Sequence, residues 1–501
     1  MKPPVRIWTS KVNADNTGME YGLREEPPLP WEEAGGEASV HAAKNEAVRG
    51  QQAESAASAE GSISAGAERS VPVCRIAVDP AQRFQVMDGA GASFTEASAY
   101  LLMERLTPEA RREVILRLFD KEQGIGLSLL RQPIGSCDFV LGPYSYADEP
   151  QPADLPGFSI EHDRRWVLPV LQESLAVHPG RIRVTCATWS PPAWMKANGS
   201  ELGLKDGIRG TLLPEHYDAY AAYISKFILA YRDEGIPVYA TSIQNEPLHD
   251  SNGWPGMYFT GPEEAQFIKS SLVPAFRRYG IDAQIHCFDH NWDLGADYVQ
   301  AVYDDSEVSP HVAGSAWHWY GGTESVMSEI HERYPDKGIW FTEGSGGEWN
   351  PVKHWRDGFL EEMKQVIRLP RHWCRSVIWW NVALDEHNGP DYYYVQHLNR
   401  RSTCRGLITV HQETGEVTYN ADYYTLGHIS KFVDTGAVRI ASDTCEDDLE
   451  SAAFENPDGS RVLIVSNRTD TVKRLRVTCD GQAVEYALDG EAAATLVWQA
   501  E

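Results

Sequence analysis

Residues 237–247 read Pro-Val-Tyr-Ala-Thr-Ser-Ile-Gln-Asn-Glu-Pro, and residues 338–343 read Gly-Ile-Trp-Phe-Thr-Glu. β-Branched and aromatic residues dominate both runs, which predicts two strands. Each predicted strand ends on a glutamate, Glu246 or Glu343, and a breaker follows directly, Pro247 or Gly344. A strand that ends on a carboxylate places that group at the rim of a sheet, where a pocket can form.

Eight strand-like runs of this kind occur between residues 84 and 381, and most are followed by a helical pattern. Apolar strands that alternate with helices indicate a parallel sheet covered by helices, and eight units favour an α/β fold of the (β/α)8 TIM barrel type. An open doubly wound sheet is the alternative; the count of eight and the lack of a G-x-G-x-x-G turn after the first strand disfavour it. The predicted strands are Phe84–Phe94, Ile125–Gly135, Arg181–Trp189, Val238–Glu246, Gln284–Asp289, Val312–Tyr320, Gly338–Glu343 and Ser376–Asn381.

The regions on either side of the barrel differ from it in composition. Short runs separated by Asp-Gly turns in residues 434–501 indicate antiparallel β-structure, and residues 1–23 and 71–86 are expected to add strands to it. The barrel is thus predicted over 87–433, with an accompanying β-sandwich domain built from both chain ends. Residues 24–70 are rich in Glu, Ala, Gly and Ser, which predicts a mobile insertion, with a short helix within 37–57 as the alternative.

Composition narrows the possible partners. The formal charge of −27 over 501 residues argues against nucleic acid or an anionic membrane surface and suits a neutral substrate. No apolar run reaches the length of a membrane-spanning helix, and none near the start suits a signal peptide. The eight scattered cysteines are expected to be reduced, so we predict a cytoplasmic protein. The sequence leaves the oligomeric state open.

The strand ends carry the chemistry, because the active sites of barrel enzymes lie at the C-terminal ends of the strands. Carboxylates, amides, an imidazole and indoles follow these ends, and such groups suit the hydroxyls and apolar faces of a sugar. Glu246 follows the fourth strand and Glu343 the seventh, so their side chains can face each other across a ligand. Two facing carboxylates are what glycoside hydrolysis requires; about 5–5.5 Å between them means retention of configuration and about 6.5–9.5 Å means inversion.

Other chemistries lack their sequence signals. There is no H-E-x-x-H, no G-x-x-x-x-G-K-[ST] and no G-x-S-x-G. His286, His290 and His318 could form a metal cluster, but they come from different predicted strands without helical spacing. No metal site is predicted, and the chemistry needs no cofactor.

Motifs along the whole chain resemble glycoside hydrolase family 30, whose members include glucosylceramidase. Ala90 and Ala92 stand where that family more often has Phe and Gly. The matching stretches are Phe84–Ser93, Pro133–Phe139, Tyr144–Asp148, Trp189–Lys196, Gln244–Pro247, His318–Tyr320, Thr342–Glu343, Trp380–Asp385 and Ser402–Gly406.

The resemblance implies a role for each matching residue. Glu246 would be the general acid/base, with its pKa raised by burial and by the second carboxylate, and Glu343 the ionised nucleophile. Asn245 would bind the sugar 2-hydroxyl, Asp138 and Trp189 would bind the hydroxyls at the far end of the ring, and Trp380 would form its floor. Tyr320 would hydrogen-bond to Glu343, and His318 would brace Glu343. Trp254 lies in a stretch after the acid/base that does not map onto the family, and it is a further candidate substrate contact.

The predicted function is therefore a retaining glycoside hydrolase that cleaves β-glycosidic bonds, with β-glucosidic bonds favoured. An endo-β-1,6-glucanase, or a β-glycosidase acting on xylosides, fucosides or galactosides, is the alternative within the family. A carbohydrate-binding protein on an inactive barrel is the non-enzymatic alternative.

Overall fold

The computed structural model describes residues 3–34, 73–347, 354–444 and 448–500. The predicted insertion over 24–70 begins too early, because Met19–Leu29 and Glu32–Glu33 are strands. The helix considered within 37–57 lies outside the described residues.

Eight parallel strands close into a barrel, which confirms the predicted fold class. Each strand pairs with its neighbours in chain order, and the eighth pairs with the first. The strands are β1 (Gly89–Ser93), β2 (Leu129–Ile134), β3 (Arg183–Thr188), β4 (Val238–Ser242), β5 (Gln284–Asn291), β6 (Gly314–His318), β7 (Gly338–Glu343) and β8 (Cys374–Asn381).

Helices pack around the barrel and within the loops that connect its strands. They are α1 (Glu96–Glu104), α2 (Pro108–Phe119), α3 (Val167–Val177), α4 (Tyr217–Asp233), α5 (Gly261–Phe267), α6 (Val273–Tyr279), α7 (Gly295–Tyr303), α8 (Ser325–Arg333), α9 (His354–Arg371), α10 (Tyr392–Leu398) and α11 (Ala421–Ser430). One π-helical turn, Ile268–Leu272, joins α5 to α6.

Two predicted elements are each divided in the structure. The strand predicted over 84–94 is the end of Val73–Val86, which belongs to the β-domain, followed by β1. The helical pattern that follows the first predicted barrel strand, over residues 96–119, is two helices, α1 and α2, because Thr107 caps a new helix that begins at Pro108. The sequence analysis also missed α11, which packs against α9 and β1 and completes the helical layer.

A ten-stranded sheet forms the second domain from both ends of the chain, as predicted. Val5–Val12 lies between Met19–Leu29 and Ala492–Gln499 and pairs antiparallel with both. In sheet order the strands are Met19–Leu29, Val5–Val12, Ala492–Gln499, Ser460–Asn467, Leu449–Glu455, Val438–Ser442, Val73–Val86, Lys473–Cys479, Gln482–Leu488 and Glu32–Glu33.

A buried histidine connects the two domains. His428 on α11 is fully buried, with Nδ1 2.8 Å from Thr495 Oγ1 and Nε2 2.9 Å from Ser10 Oγ. These hydroxyls belong to the last and first long strands of the chain. Burial lowers the pKa of His428 to about 3, so the imidazole is neutral at neutral pH.

Two further properties bear on the sequence predictions. None of the helices in the described ranges has the length and apolarity needed to cross a bilayer. Cys74 is disulfide-bonded, so the expectation that every cysteine is reduced was wrong for this residue. The cysteines that are not disulfide-bonded in the described residues are Cys137, Cys186, Cys287, Cys374, Cys404 and Cys479.

The depressed pKa of His428 predicts a pH-dependent stability. In the unfolded chain a histidine takes up its proton near pH 6.5, whereas folded His428 stays neutral until about pH 3. As the pH falls from 7 to 5, the unfolded state therefore gains protons first, and His428 alone should cost about 2 kcal/mol of unfolding free energy. His428→Gln keeps hydrogen-bonding atoms but does not titrate. Between pH 7 and pH 5, its unfolding free energy, measured by urea titration, should therefore fall by about 2 kcal/mol less than that of the wild type. The exposed His311→Gln is the control, and an equal loss in all three proteins would contradict the prediction.

Candidate active site

The two predicted glutamates lie at one end of the barrel, but only one of them ends a strand. Glu343 is the last residue of β7. Glu246 lies beyond β4, which ends at Ser242, and has a positive φ of 48°. The segment stays attached to neighbouring strands, because the Asn245 N–H donates to Thr188 O and the Glu246 N–H to Asp289 O.

The two carboxylates are close together. One oxygen of Glu246, one oxygen of Glu343 and a ring nitrogen of His318 all lie within 4.8 Å of one another. This close approach of two carboxylate oxygens agrees with the short spacing of enzymes in which one carboxylate attacks the substrate directly.

Arg131 on β2 organises this end of the barrel. Its guanidinium donates to Glu343 Oε2 (2.6 Å), Asn245 Oδ1 (2.7 Å) and Asp289 Oδ2 (2.9 Å), and the side chain is almost fully buried. The sequence analysis missed Arg131. One feature of the sequence could have revealed it: Arg131 is the only charged residue in the strand Leu129–Ile134. A buried arginine requires partners of opposite charge or hydrogen-bond acceptors, so its position predicts a polar cluster.

Asp289 on β5 is the second residue that was missed. It accepts hydrogen bonds from Arg131 and from Thr342 Oγ1 (2.5 Å), and its Oδ1 lies 3.0 Å from His318 Nε2. The other nitrogen of His318, Nδ1, lies 3.3 Å from Glu246 Oε1. Because carboxylates surround the imidazole, they raise the pKa of His318 to about 9 despite its burial, so it is a cation at neutral pH.

The environments of the two glutamates shift their pKa values in opposite directions. Burial raises the pKa of Glu343, and the charge of Glu246 adds to this effect. Burial acts on Glu246 as well, but the hydrogen bond from His318 and the positive charge of that imidazole outweigh it and lower the pKa to about 2. The expectation that the Glu246 pKa is raised was therefore wrong for the ligand-free protein, because the sequence did not show the imidazolium beside it.

An aromatic pocket adjoins the carboxylates. Trp189 and Trp380 stack with ring centroids 5.1 Å apart, and Phe139 packs on the edge of Trp380 at 6.1 Å. The guanidinium of Arg131 lies 4.7 Å from the centre of Trp189. Asp138 is buried beside them, and its Oδ1 has no hydrogen-bond partner among the described residues. Burial and the charge of Glu343 raise the pKa of Asp138 well above its usual range.

Two predicted residues place polar groups next to Glu343. The Tyr320 hydroxyl donates to Glu343 Oε1 at 3.1 Å, and the side chain is 42% exposed at the opening. Asn245 accepts from Arg131 through its oxygen, which leaves its NH2 group to donate to a ligand.

The far wall of the site is also aromatic. Trp254 stacks on Tyr394 at 5.3 Å and on His249 at 5.3 Å. Tyr394 in turn contacts Phe139 at 6.1 Å, so this wall is continuous with the pocket around Trp380. The structure therefore brings all nine predicted site residues to one end of the barrel.

Comparison with known proteins identifies the family. The model described as the glycosyl hydrolase family 30 TIM-barrel domain matches residues 87–433, and the family 30 beta sandwich domain matches residues 436–496. This chain belongs to glycosyl hydrolase family 30. Together the two matches cover the barrel and the C-terminal strands of the ten-stranded sheet.

Similar proteins cover most of the chain. Lysosomal acid glucosylceramidase of Mus musculus is 28% identical over 411 residues, which are 79% of this chain and 77% of that protein. Endo-1,6-beta-D-glucanase of Neurospora crassa is 30% identical over 406 residues, 78% of this chain and 80% of that protein. Among solved structures, the endo-beta1,6-glucanase BT3312 matches with a TM-score of 0.82 and 28% identity, and SrfJ from Salmonella typhimurium with 0.84 and 26%; both matches cover 100% of each chain.

Membership of family 30 makes the protein a β-glycosidase, and a carbohydrate is its substrate. The alternative of a sugar-binding protein on an inactive barrel is thereby set aside.

The site chemistry is poorly suited to a metal ion. Glu246, His318 and Glu343 have the spacing of a metal site, but the Arg131 cation lies 2.6 Å from Glu343. His318 carries a proton at neutral pH and has no free lone pair to offer. The considered cluster of His286, His290 and His318 does not form, because His286 stacks on Trp340 with ring centroids 3.9 Å apart instead.

Removing the Arg131 cation should destabilise the protein strongly. Arg131→Met removes the guanidinium that bonds to the buried carboxylates of Asp289 and Glu343, which should cost about 3–5 kcal/mol of unfolding free energy. Arg333→Met removes an exposed guanidinium paired with Asp304 and should change stability by less than about 0.5 kcal/mol. Urea unfolding at pH 7 measures both, and equal effects of the two substitutions would show that the buried cation is not needed for stability.

Proposed function

We propose that the protein is a retaining β-glucosidase in which Glu343 is the nucleophile and Glu246 the general acid/base. The observation that carries this proposal is the short distance between the two carboxylates. One oxygen of Glu246 lies within 4.8 Å of one oxygen of Glu343. A pair at this spacing suits a double displacement through a covalent glycosyl-enzyme intermediate.

The hydrogen bonds support this division of roles. Glu343 receives one bond from the Arg131 guanidinium and another from the Tyr320 hydroxyl, so both of its oxygens are held in position for attack. Glu246 faces only imidazoles, and its side chain is 14% exposed against 7% for Glu343. Glu246 thus lies closer to the opening, where a leaving group departs and water enters.

The charge balance of the site supports one movable proton. Arg131 and His318 contribute two positive charges, and Asp289, Glu246 and Glu343 can contribute three negative ones, so one further proton makes the cluster neutral. In the ligand-free protein the opposite pKa shifts favour that proton on Glu343. A bound substrate changes this preference, because the leaving group desolvates Glu246 while positive charge develops at the anomeric carbon beside Glu343.

The reaction then follows from the positions of the two groups. Ionised Glu343 attacks the anomeric carbon as Glu246 donates its proton to the departing oxygen. The ester formed on Glu343 is neutral, so Glu246, now ionised and paired with the His318 cation, accepts a proton from water as that water attacks the anomeric carbon. This attack breaks the ester bond, so Glu343 is released as a carboxylate, Glu246 is protonated again, and the sugar can leave.

A terminal glucose suits the pocket. Asp138 offers a buried oxygen without a partner to a sugar hydroxyl, and Trp380 and Trp189 supply aromatic surface. Asn245 offers its NH2 group to the 2-hydroxyl. The names of two curated relatives, a glucosylceramidase and an endo-1,6-beta-D-glucanase, both refer to glucosyl linkages, which supports glucose over xylose, fucose or galactose.

Endo-β-1,6-glucanase activity is the second candidate. The 30% identity to the Neurospora crassa enzyme and the full-length match to BT3312 favour it. Burial of Asp138, at 7% exposure, favours a pocket closed behind a terminal sugar instead.

The cytoplasmic location and the absence of a nucleic-acid partner stay predictions.

Azide distinguishes the two carboxylates by the product that forms. With Glu343→Ala, azide should enter in place of the nucleophile and give an α-glucosyl azide by a single inversion. With Glu246→Ala, an aryl glucoside should still form the covalent intermediate, and azide should then give the β-glucosyl azide. Glu246→Ala should also lower kcat/KM about 10²–10⁴-fold on substrates with poor leaving groups. The exposed Glu307→Ala is the control; wild-type turnover by Glu343→Ala would show that the assignment is wrong.

A substrate panel decides between exo and endo action. Aryl β-glucoside should be hydrolysed faster than the matching xyloside, galactoside and fucoside, since the pocket is fitted to a terminal glucose. On β-1,6-glucan the proposed enzyme should release glucose from chain ends. Mixed oligosaccharides as the first products, resolved by chromatography, would instead establish the endo-β-1,6-glucanase.

A further inference from the structure

An irregular step in β5 turns two consecutive side chains into the active site. Phe288 pairs with Ala316 of β6 and His290 pairs with the next residue, Trp317, so Asp289 is an extra residue on β5. Phe288 and Asp289 have positive φ values of 74° and 72°. In a regular strand neighbouring side chains point to opposite faces, whereas a bulge can redirect them. Here Asp289 reaches Arg131 while His290 reaches Glu246.

His290 is a buried histidine beside Glu246 whose ring nitrogens make no hydrogen bond within the part of the chain that the structure describes. It is 2% exposed, and neither ring nitrogen has a hydrogen-bond partner among the described residues. A buried polar group without a partner costs about 1–3 kcal/mol, so it requires an explanation. The carboxylate oxygen Glu246 Oε1 lies 3.9 Å from His290 Nδ1. That gap is about 1 Å longer than a hydrogen bond.

Glu246 therefore lies between two imidazoles of different charge. His318 is the cation, held so by Asp289 and Glu343, and lies 3.3 Å from the same oxygen, Oε1. Burial lowers the pKa of His290 to about 4, so His290 is neutral at neutral pH. A cationic partner stabilises the ionised carboxylate, whereas a neutral partner can bond to the protonated carboxyl group without ionising it.

We propose that His290 is a positioning residue that holds protonated Glu246 in the orientation from which it donates to the leaving oxygen. The inference rests on the proposed role of Glu246 as the acid. In this scheme the Glu246 carboxyl moves about 1 Å towards His290 when it is protonated and returns to His318 when it is ionised. The titratable groups that face His290 are Glu246, His249, His318 and Asp289.

The dependence of the rate on the leaving group tests this role. His290→Phe keeps a ring but removes both nitrogens. It should lower kcat/KM about 10–100-fold on an alkyl β-glucoside or a β-1,6-linked glucose disaccharide, a part of the 10²–10⁴-fold that acid catalysis supplies. On 2,4-dinitrophenyl β-glucoside, whose leaving group needs no proton, it should change kcat/KM less than about threefold. The ratio of the two kcat/KM values is independent of the fraction of protein that is folded.

Two further variants complete the experiment. His286→Phe removes another buried histidine of β5 that lies outside the site, and it should leave the ratio unchanged. His290→Ala should show the same selective loss as His290→Phe, and added imidazole should restore the rate on the poor leaving group.

The possible outcomes separate the inference from the proposed function. An equal loss on both substrates, or no loss on either, in both His290 variants would overturn the positioning role. If Glu246→Ala shows no dependence on the leaving group, the assignment of Glu246 as the acid fails first. If Glu246→Ala shows the dependence and the His290 variants do not, only the inference about His290 fails.

Discussion

The buried positive charge of Arg131 is the constraint on which the catalytic end of the barrel depends. A guanidinium in this interior is tolerable only if its hydrogens meet oxygens, and the partners come from three separate places: Glu343 at the end of β7, Asp289 on β5 and Asn245 beyond β4. Because one rigid fork binds all three, it fixes their relative positions. Asp289 in turn contacts His318 and orients its imidazole, and the other nitrogen of that imidazole contacts Glu246. The site is thus one electrostatic cluster. The charges of all its members together determine whether the shared proton resides on Glu246 or on Glu343.

The same cluster accounts for the strained backbone around it. Glu246, Phe288 and Asp289 all adopt a positive φ, a conformation that costs residues other than glycine about 1–3 kcal/mol each. Regular strands would point these side chains away from one another. Hydrogen bonds from Arg131 and His318, made inside a tightly packed barrel, offset the strain and keep the irregular conformations populated. Local preference and function therefore conflict at these three positions, as is common where a chain has to converge polar groups.

These conflicts also set the limit of what the sequence could predict. The eight strands, the barrel and the position of Glu343 follow from hydrophobic runs, because β7 is regular to its last residue. Glu246 was placed on a strand because its run stays apolar, yet β4 ends at Ser242 and the turn beyond it has no local signal. Arg131 and Asp289 were missed because each is explained only by partners far away in sequence. For the same reason the direction of the Glu246 pKa shift could not be foreseen: it depends on an imidazolium that another strand supplies.

The way in which the two chain ends share one sheet has a consequence for biosynthesis. Val5–Val12 is synthesised long before its neighbour Ala492–Gln499. Successive side chains of this strand pack into different cores. Ile7 belongs to the core of the sheet, whereas Trp8 belongs to the core that includes the barrel. During synthesis the barrel can be complete while Ile7 still faces water and the strand edge lacks its partner. Contacts between distant parts of a chain form slowly, so we expect this strand pair to form late in folding. Until that step the nascent chain needs protection from mispairing at this edge, even though its catalytic groups are already assembled.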